Sequence, residues 1–219
     1  MVELSSFIGW IAVMLLLSSF VKFATVLSIL RLGLGLQGGG FGVVILTISC
    51  ALSLLVLEPQ LASVGGARAL FNAPDPSRQA VIEREIRPFL ERNTDPDIFR
   101  RFRALAARQE ARSVVPDKAD FSPSAPVAPA ALSDQPMSAA PISVVSAAFL
   151  VTELSEAFTI GVALLIPFLI IDLLAANVFV LLNLTQLPVS AVTIPIKLLL
   201  FVVVNGWAHL TEKLVAGYF

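Results

Sequence analysis

Apolar residues along this chain collect into four runs, and the segments between them are of two quite different kinds. Residues 7–30 form the first run, with Lys22 as its only charge. At about 20 residues per ~30 Å of hydrocarbon, it is long enough for one helical span. The glycine-dense stretch 31–42, RLGLGLQGGGFG, then breaks it. Glycine permits a tight turn, so residues 43–57 are expected to return as a second helix, stopped by Glu58-Pro59 because proline offers no amide proton. Fifteen residues are few for a full span unless the glycine segment lengthens the helix. A re-entrant or protein-buried hairpin therefore stays open beside the spanning one.

From residue 58 to residue 141 the pattern changes. In DPSRQAVIEREIRPFLERN, Val81, Ile82, Ile86, Phe89 and Leu90 recur at helical spacing, with Pro76 just inside the start and Pro88 expected to kink or end the helix. DPDIFRRFRALAARQEA predicts a second amphipathic helix. Asp95 is its N-cap and Pro96 sits in its first turn; Ile98, Phe99, Phe102 and Leu105 share one face, and the arginines lie on a solvated face. The following VVPDKADFSPSAPVAPAALSDQPMSAAP is dense in Pro, Ala and Ser and reads as an extended linker. Residues 144–184 and 189–218, separated by TQLPVS, make the final apolar pair. A helix over 144–184 would be a rod of roughly 60 Å, twice the hydrocarbon thickness. One straight span does not fit; Pro167 offers a kink, and the surplus length predicts packing against protein.

The expected fold is an all-α membrane-associated protein with two long apolar helical hairpins flanking a small helical soluble insert. Its parts are an N-terminal hairpin (1–58), the helical insert (59–113), a linker (114–141) and a kinked C-terminal hairpin (142–219). Composition agrees: of 219 residues 57% are hydrophobic and only 14% charged, against about 25% charged in soluble domains. The net charge is −1, and the eleven bases of residues 58–141 are cancelled by eleven acids. No electrostatic footprint for nucleic acid exists. The single cysteine, Cys50, excludes a disulfide within the chain and reads as a buried, inert thiol. MVELSSFIGW has no base before the first apolar run, so it lacks the positive region of a cleavable signal and is read as retained. Lys22 and Arg31 draw the glycine turn to the cytoplasm, whereas the insert's bases argue for the opposite. At 84 residues the insert exceeds the ~60-residue reach of the positive-inside rule, which places it outside.

Enzyme chemistry finds little support. Gly33–Gly38, GLGLQG, matches a dinucleotide fingerprint, but it follows an apolar helix rather than a strand. Close helix packing through Gly35, Gly39 and Gly42 is the better reading. Neither a metalloprotease nor a serine-hydrolase motif occurs, and the one histidine, His209, reads as a polar interface residue. No catalytic residue, metal site or cofactor is expected. What remains is a sparse polar set: Glu153 and Glu156 at the entrance of the last hairpin, Asp172 within it, and Lys197, Asn205, His209 and Lys213 on the returning helix. The last three recur every four residues and should form one stripe. Lipid cannot solvate an ionised group, so each must face a partner or water. Asp172 then pairs with Lys197 or a neighbouring subunit, or else serves a proton relay or ion site. Several copies or partners must enclose the hairpin.

ELSEAFTIGVALLIPFLIIDLLAANV, LPVSAVTIPIKLLLFVVVNGWAHL and SSFVKFATVLSILRLGLGLQ closely resemble the FliP/SctR (YscR) family, core export-apparatus subunits of bacterial type III secretion systems. RPFLERNTDPDIFRRF is similar to the family's helical insert. The resemblance implies an export gate of about five copies with FliQ/SctS-like and FliR/SctT-like subunits and an FlhB/SctU-like switch subunit. Unfolded secreted proteins would pass through its centre, across the bacterial inner membrane, with this chain as a multi-pass subunit and its insert periplasmic. Three departures stand out. Where the family has a methionine-rich gasket, this chain reads Leu184, Thr185, Gln186 and Leu187, which could still form an apolar constriction. The family's V-D-G-W is here VNGW, with Asn205 for the acid, leaving Lys197 to pair elsewhere, with Asp172 as candidate. The turn LQGGGFG is also richer in glycine than the family's proline-bearing version. The missing signal favours the injectisome branch over the flagellar one. The rival readings are a small ion- or proton-coupled transporter using Asp172 and Lys197, and a membrane-anchored binding protein whose insert docks a soluble partner.

Overall fold

A computed structural model describes residues 19–36, 38, 40–64, 76–113, 136–184 and 186–218. Residues 7–18 of the first apolar run, Gly39, Thr185 and most of the Pro/Ala/Ser-rich stretch lie outside the described residues. The fold is all-α, as the pattern predicts, with no strand among the described residues. The chain forms two compact units: one holds the described residues of 60–153, the other those of 14–59 and 154–219.

In the first unit, α3 (Pro76–Arg92) and α4 (Pro96–Ser113) pack with the opening turns of α5 (Ile142–Leu181); α1 and α2 belong to the second unit. Asp95 caps α4 as expected: its Oδ1 accepts from the amides of Asp97 at 2.7 Å and Ile98 at 3.2 Å. Ile86, Phe89 and Leu90 of α3 are buried, and the Phe89 ring lies 5.8 Å from that of Phe149 on α5. The Thr152 hydroxyl accepts from the Asp95 amide at 3.1 Å, tying the α3–α4 corner to α5. Arg87 donates to the carbonyls of Ser138 at 3.3 Å and Ala140 at 3.1 Å, closing the chain that leads into α5.

Three expectations for this unit are corrected. Pro88 does not end its helix, which runs on to Arg92. The proline and Arg84, whose carbonyl it leaves without a helical donor, both lie on the exposed side of the helix. The inward stripe of α4 runs through Phe99, Arg103 and Ala107, whereas Leu105 is 57% exposed. Arg103 is buried, not on the solvated face; its long apolar stem packs as a hydrophobe does.

The second unit is built round α1 (Phe20–Leu34). Phe23, Val26, Leu27, Leu30 and Leu34 are almost wholly buried at helical spacing. α1 ends in a Schellman turn: Gly35 takes φ +76°, its amide donates to the Leu32 carbonyl at 3.1 Å, and the Leu36 amide to that of Arg31 at 3.1 Å. The Arg31 guanidinium reaches round to the carbonyls of Leu36 at 2.7 Å and Gly38 at 3.1 Å. The chain then returns as α2 (Gly40–Leu57). Here the glycine segment does lengthen the second helix, to 18 residues, and Glu58-Pro59 ends it.

α5 continues unbroken through the exposed Pro167 for 40 residues. It too ends in a Schellman turn, now with Asn183 in the left-handed conformation at φ 52°. α6 (Ser190–Val203) and α7 (Gly206–Ala216) follow. One continuous returning helix was the expectation; instead Asn205, at φ 51°, breaks it and the two halves meet at 62°. Asparagine tolerates this backbone better than most residues. The stripe of polar residues therefore starts after the break, with His209 and Lys213 on α7 and Asn205 at the corner.

α2 and α5 are long and apolar enough to cross a membrane, and the bent α6–α7 pair passes the same test as one broken span. Along α5, Phe158, Val162, Ile166, Ile170 and Leu174 are more than half exposed, as are Leu199, Val202 and Val203 on α6. Water cannot be the medium for such a surface.

Candidate functional site

α5 runs parallel to α1, and the two are pinned at both ends by buried lysines. Near the start of α1, Lys22 Nζ lies 2.5 Å from Glu156 Oε2 and 4.6 Å from the centre of the Tyr218 ring. Eleven residues on, at the carboxyl end of α1, Lys197 of α6 donates to the Gly33 carbonyl at 2.8 Å and lies 2.5 Å from Asp172 Oδ2. Gly33 is in the last turn, where helix carbonyls have no intrahelical donor. The ammonium thus satisfies an orphan acceptor and sits at the negative end of the helix dipole. One side chain joins three helices.

Between these pins the contact is close and apolar. A Cβ on Gly161 of α5 would come 2.4 Å from Ile29 Cδ1, and one on Gly33 would come 2.7 Å from a Phe168 ring carbon. Missing side chains bring the two helices together here, as in membrane helix pairs generally.

Both ion pairs are lopsided. The Lys22 and Lys197 side chains are 5% and 4% exposed, whereas Glu156 and Asp172 keep 55% and 42%. Each carboxylate spends one oxygen on its lysine and turns the rest outward. Asp172 faces an open groove of about 540 Å³, shared with Ala176, Ser190, Thr193 and Ile194.

Asp172 and Lys197 are the expected residues that the structure brings together, and each is the other's partner. Glu153 is buried in the first unit. Asn205 and His209 are exposed, the latter beside Lys213 in an apolar cleft. Leu184 and Leu187 project from the α5–α6 turn, 39% and 57% exposed, and Gln186 is exposed with them. Gly35 serves the turn, and a Cβ on it would meet Ile194 at 3.1 Å; one on Gly42 would meet only the Arg31 guanidinium, at 3.8 Å. Sequence reasoning missed the Lys22–Glu156 pair and the packing roles of Gly33 and Gly161. The first had a signal, a lone base in one oily run and two acids, Glu153 and Glu156, at the mouth of another. No cluster that could hold a metal ion occurs among the described residues.

The profile of the FliP family matches residues 2–214. This chain belongs to the FliP family. It is 32% identical over 215 residues to the flagellar biosynthetic protein FliP of Pectobacterium carotovorum subsp. carotovorum, covering 95% of this chain and 73% of that protein. It is 35% identical over 210 residues to the hypersensitivity response secretion protein HrcR of Ralstonia nicotianae, covering 93% and 89%. A Yop proteins translocation protein R of Yersinia pestis is 30% identical over 201 residues, covering 92% and 87%. As a FliP-family member this is a membrane protein of the flagellar and type III secretion export apparatus, working with other subunits. FliP-family proteins are export components and generally not enzymes.

Proposed function

We propose that this FliP-family chain is a channel-forming scaffold subunit of a type III secretion export gate, passing unfolded protein across the bacterial inner membrane. The observation that carries the reading is the pairing of an almost bare apolar α5 with half-exposed carboxylates at Glu156 and Asp172. Hydrocarbon accepts the first and rejects the second; the wall of a multi-subunit protein accepts both. About five copies form the ring, joined by FliQ/SctS-like, FliR/SctT-like and FlhB/SctU-like subunits, with the helical insert on the periplasmic side. The exposed pair Leu184 and Leu187, on a tight turn fixed by the Leu184 amide bonding the Phe179 carbonyl at 2.9 Å, supplies an apolar constriction.

Cysteine cross-linking tests the constriction. In a Cys50→Ser background, Leu187→Cys should capture an export substrate stalled by a folded tag, whereas a cysteine at the exposed Val81 of the insert should not. Equal capture at both positions would remove Leu187 from the path. Mild-detergent purification should also bring down partner subunits, and a monodisperse lone chain under conditions that preserve related complexes would count against the scaffold. The rival transporter reading asks Asp172 and Lys197 to exchange protons or ions. The structure gives Lys197 two static duties, Asp172 and the Gly33 carbonyl, which supports a structural role.

A further inference from the structure

The inside of the α6–α7 bend is the least explained feature of the molecule. Together with α5 it encloses an open cleft of about 730 Å³, within the ~300–1,000 Å³ usual for small-molecule sites. Leu164, Pro167 and Phe168 form one wall, and Leu200 and Phe201 the other. Neither the Lys22–Glu156 pair nor the Lys197–Asp172 pair lines it.

The polarity of this cleft is one-sided. Its only ionisable lining residues are His209 and Lys213, one turn apart on the same face of α7. Lys213 makes no ion pair or hydrogen bond among the described residues. Its neighbour Glu212 lies about 100° further round the helix and does not line the cleft. Trp207 stands at the bend, 47% exposed with its ring 5.1 Å from that of Phe201. The helices forming the cleft are those apolar enough to meet lipid.

An oily trough with a cation at one end matches a molecule with an acyl chain and a negative head. We infer that this cleft binds an anionic phospholipid, its acyl chain between α5 and the α6–α7 bend and its phosphate at Lys213, with the His209 ring as a second hydrogen-bonding group. A zwitterionic lipid offers the same chain but no net charge, and so gains less from Lys213. The inference rests on the membrane character of the chain and not on the channel proposal, so either stands if the other falls.

The test uses the full chain in its native membrane complex, released in mild detergent and exposed to equal amounts of phosphatidylglycerol and phosphatidylcholine. Retained lipid is read by native mass spectrometry. The wild type should keep phosphatidylglycerol in preference, and Lys213→Glu should cut its retention at least about fivefold, the worth of one basic side chain near an anionic surface. Ala163→Trp, which fills the apolar part and leaves Lys213 in place, should exclude both lipids. Equal retention of the two by the wild type would overturn the inference, as would a preference unchanged in Lys213→Glu. So would a cross-link from a photoreactive group at Leu200 that reaches a second copy of the chain and no lipid.

Discussion

Replacing Lys197 by methionine is expected to destabilise the fold by about 1–3 kcal/mol, less than for a fully buried pair because the Asp172 left behind keeps 42% exposure. Methionine fills most of the space, so packing is not the main loss. What disappears is the donor to two acceptors, the Asp172 carboxylate and the Gly33 carbonyl. Asp172 loses its counter-ion, and the end of α1 regains an unsatisfied group. If the pair acts as a unit, Lys197→Met with Asp172→Leu should recover most of the loss, leaving roughly 1 kcal/mol for the orphaned carbonyl. Thermal unfolding of the purified protein in detergent measures each variant. Strict additivity of the two single substitutions would sink the argument, since it would mean that the residues do not feel each other.

Gly161→Val should cost about 2–3 kcal/mol, the upper range for forcing volume into a packed core. The first added carbon alone would stand 2.4 Å from Ile29 Cδ1 and 3.2 Å from Ile29 Cβ. Ile29 Cδ1 can turn away about χ2, but Cβ and Cγ2, both 3.2 Å from that carbon, are held by the single χ1 rotamer a β-branched residue adopts in a helix. The helices must separate instead, which stretches the lysine pins on either side. Ile29→Ala removes the obstruction, and the double variant should regain at least half of the lost stability. The check is the unfolding midpoint of the four proteins; a Gly161→Val midpoint equal to wild type would show that the contact is not tight.

Much of this was legible in the residues. Asp172 is the one acid of residues 160–184 and Lys197 the one base of residues 189–205, so each has few alternatives to the other. Asp95 followed by proline carries its own capping chemistry, and the end of α2 is written in Glu58-Pro59. Other features were opaque because they depend on what lies opposite. Gly161 looks like any glycine in a long apolar run until Ile29 is placed against it. Pro88 and Pro167 should break helices by local rules, yet each helix continues through its proline, which lies on an exposed side. The bend at Asn205 had a local signal, asparagine followed by glycine, that the regular four-residue spacing of the polar stripe concealed. Arg103 reads as a solvated residue by its charge, but charge is a poor guide to burial in a side chain whose stem is mostly hydrocarbon.

The parallel alignment of α1 with α5 also constrains the order of events at the ribosome. Lys22 meets Glu156 across 134 residues of chain, and the Gly33 carbonyl meets Lys197 across 164. At about 5–20 residues per second, on the order of 10 s of synthesis separates the emergence of Lys22 from that of its counter-ion. Until then the nascent segment carries a charge that hydrocarbon will not accept, so its final seating waits for the other half of the molecule. Chains arrested before residue 156 should leave Lys22 open to an aqueous amine reagent, and chains released after residue 197 should hide it. Early protection would mean that some other molecule holds the lysine in the interval.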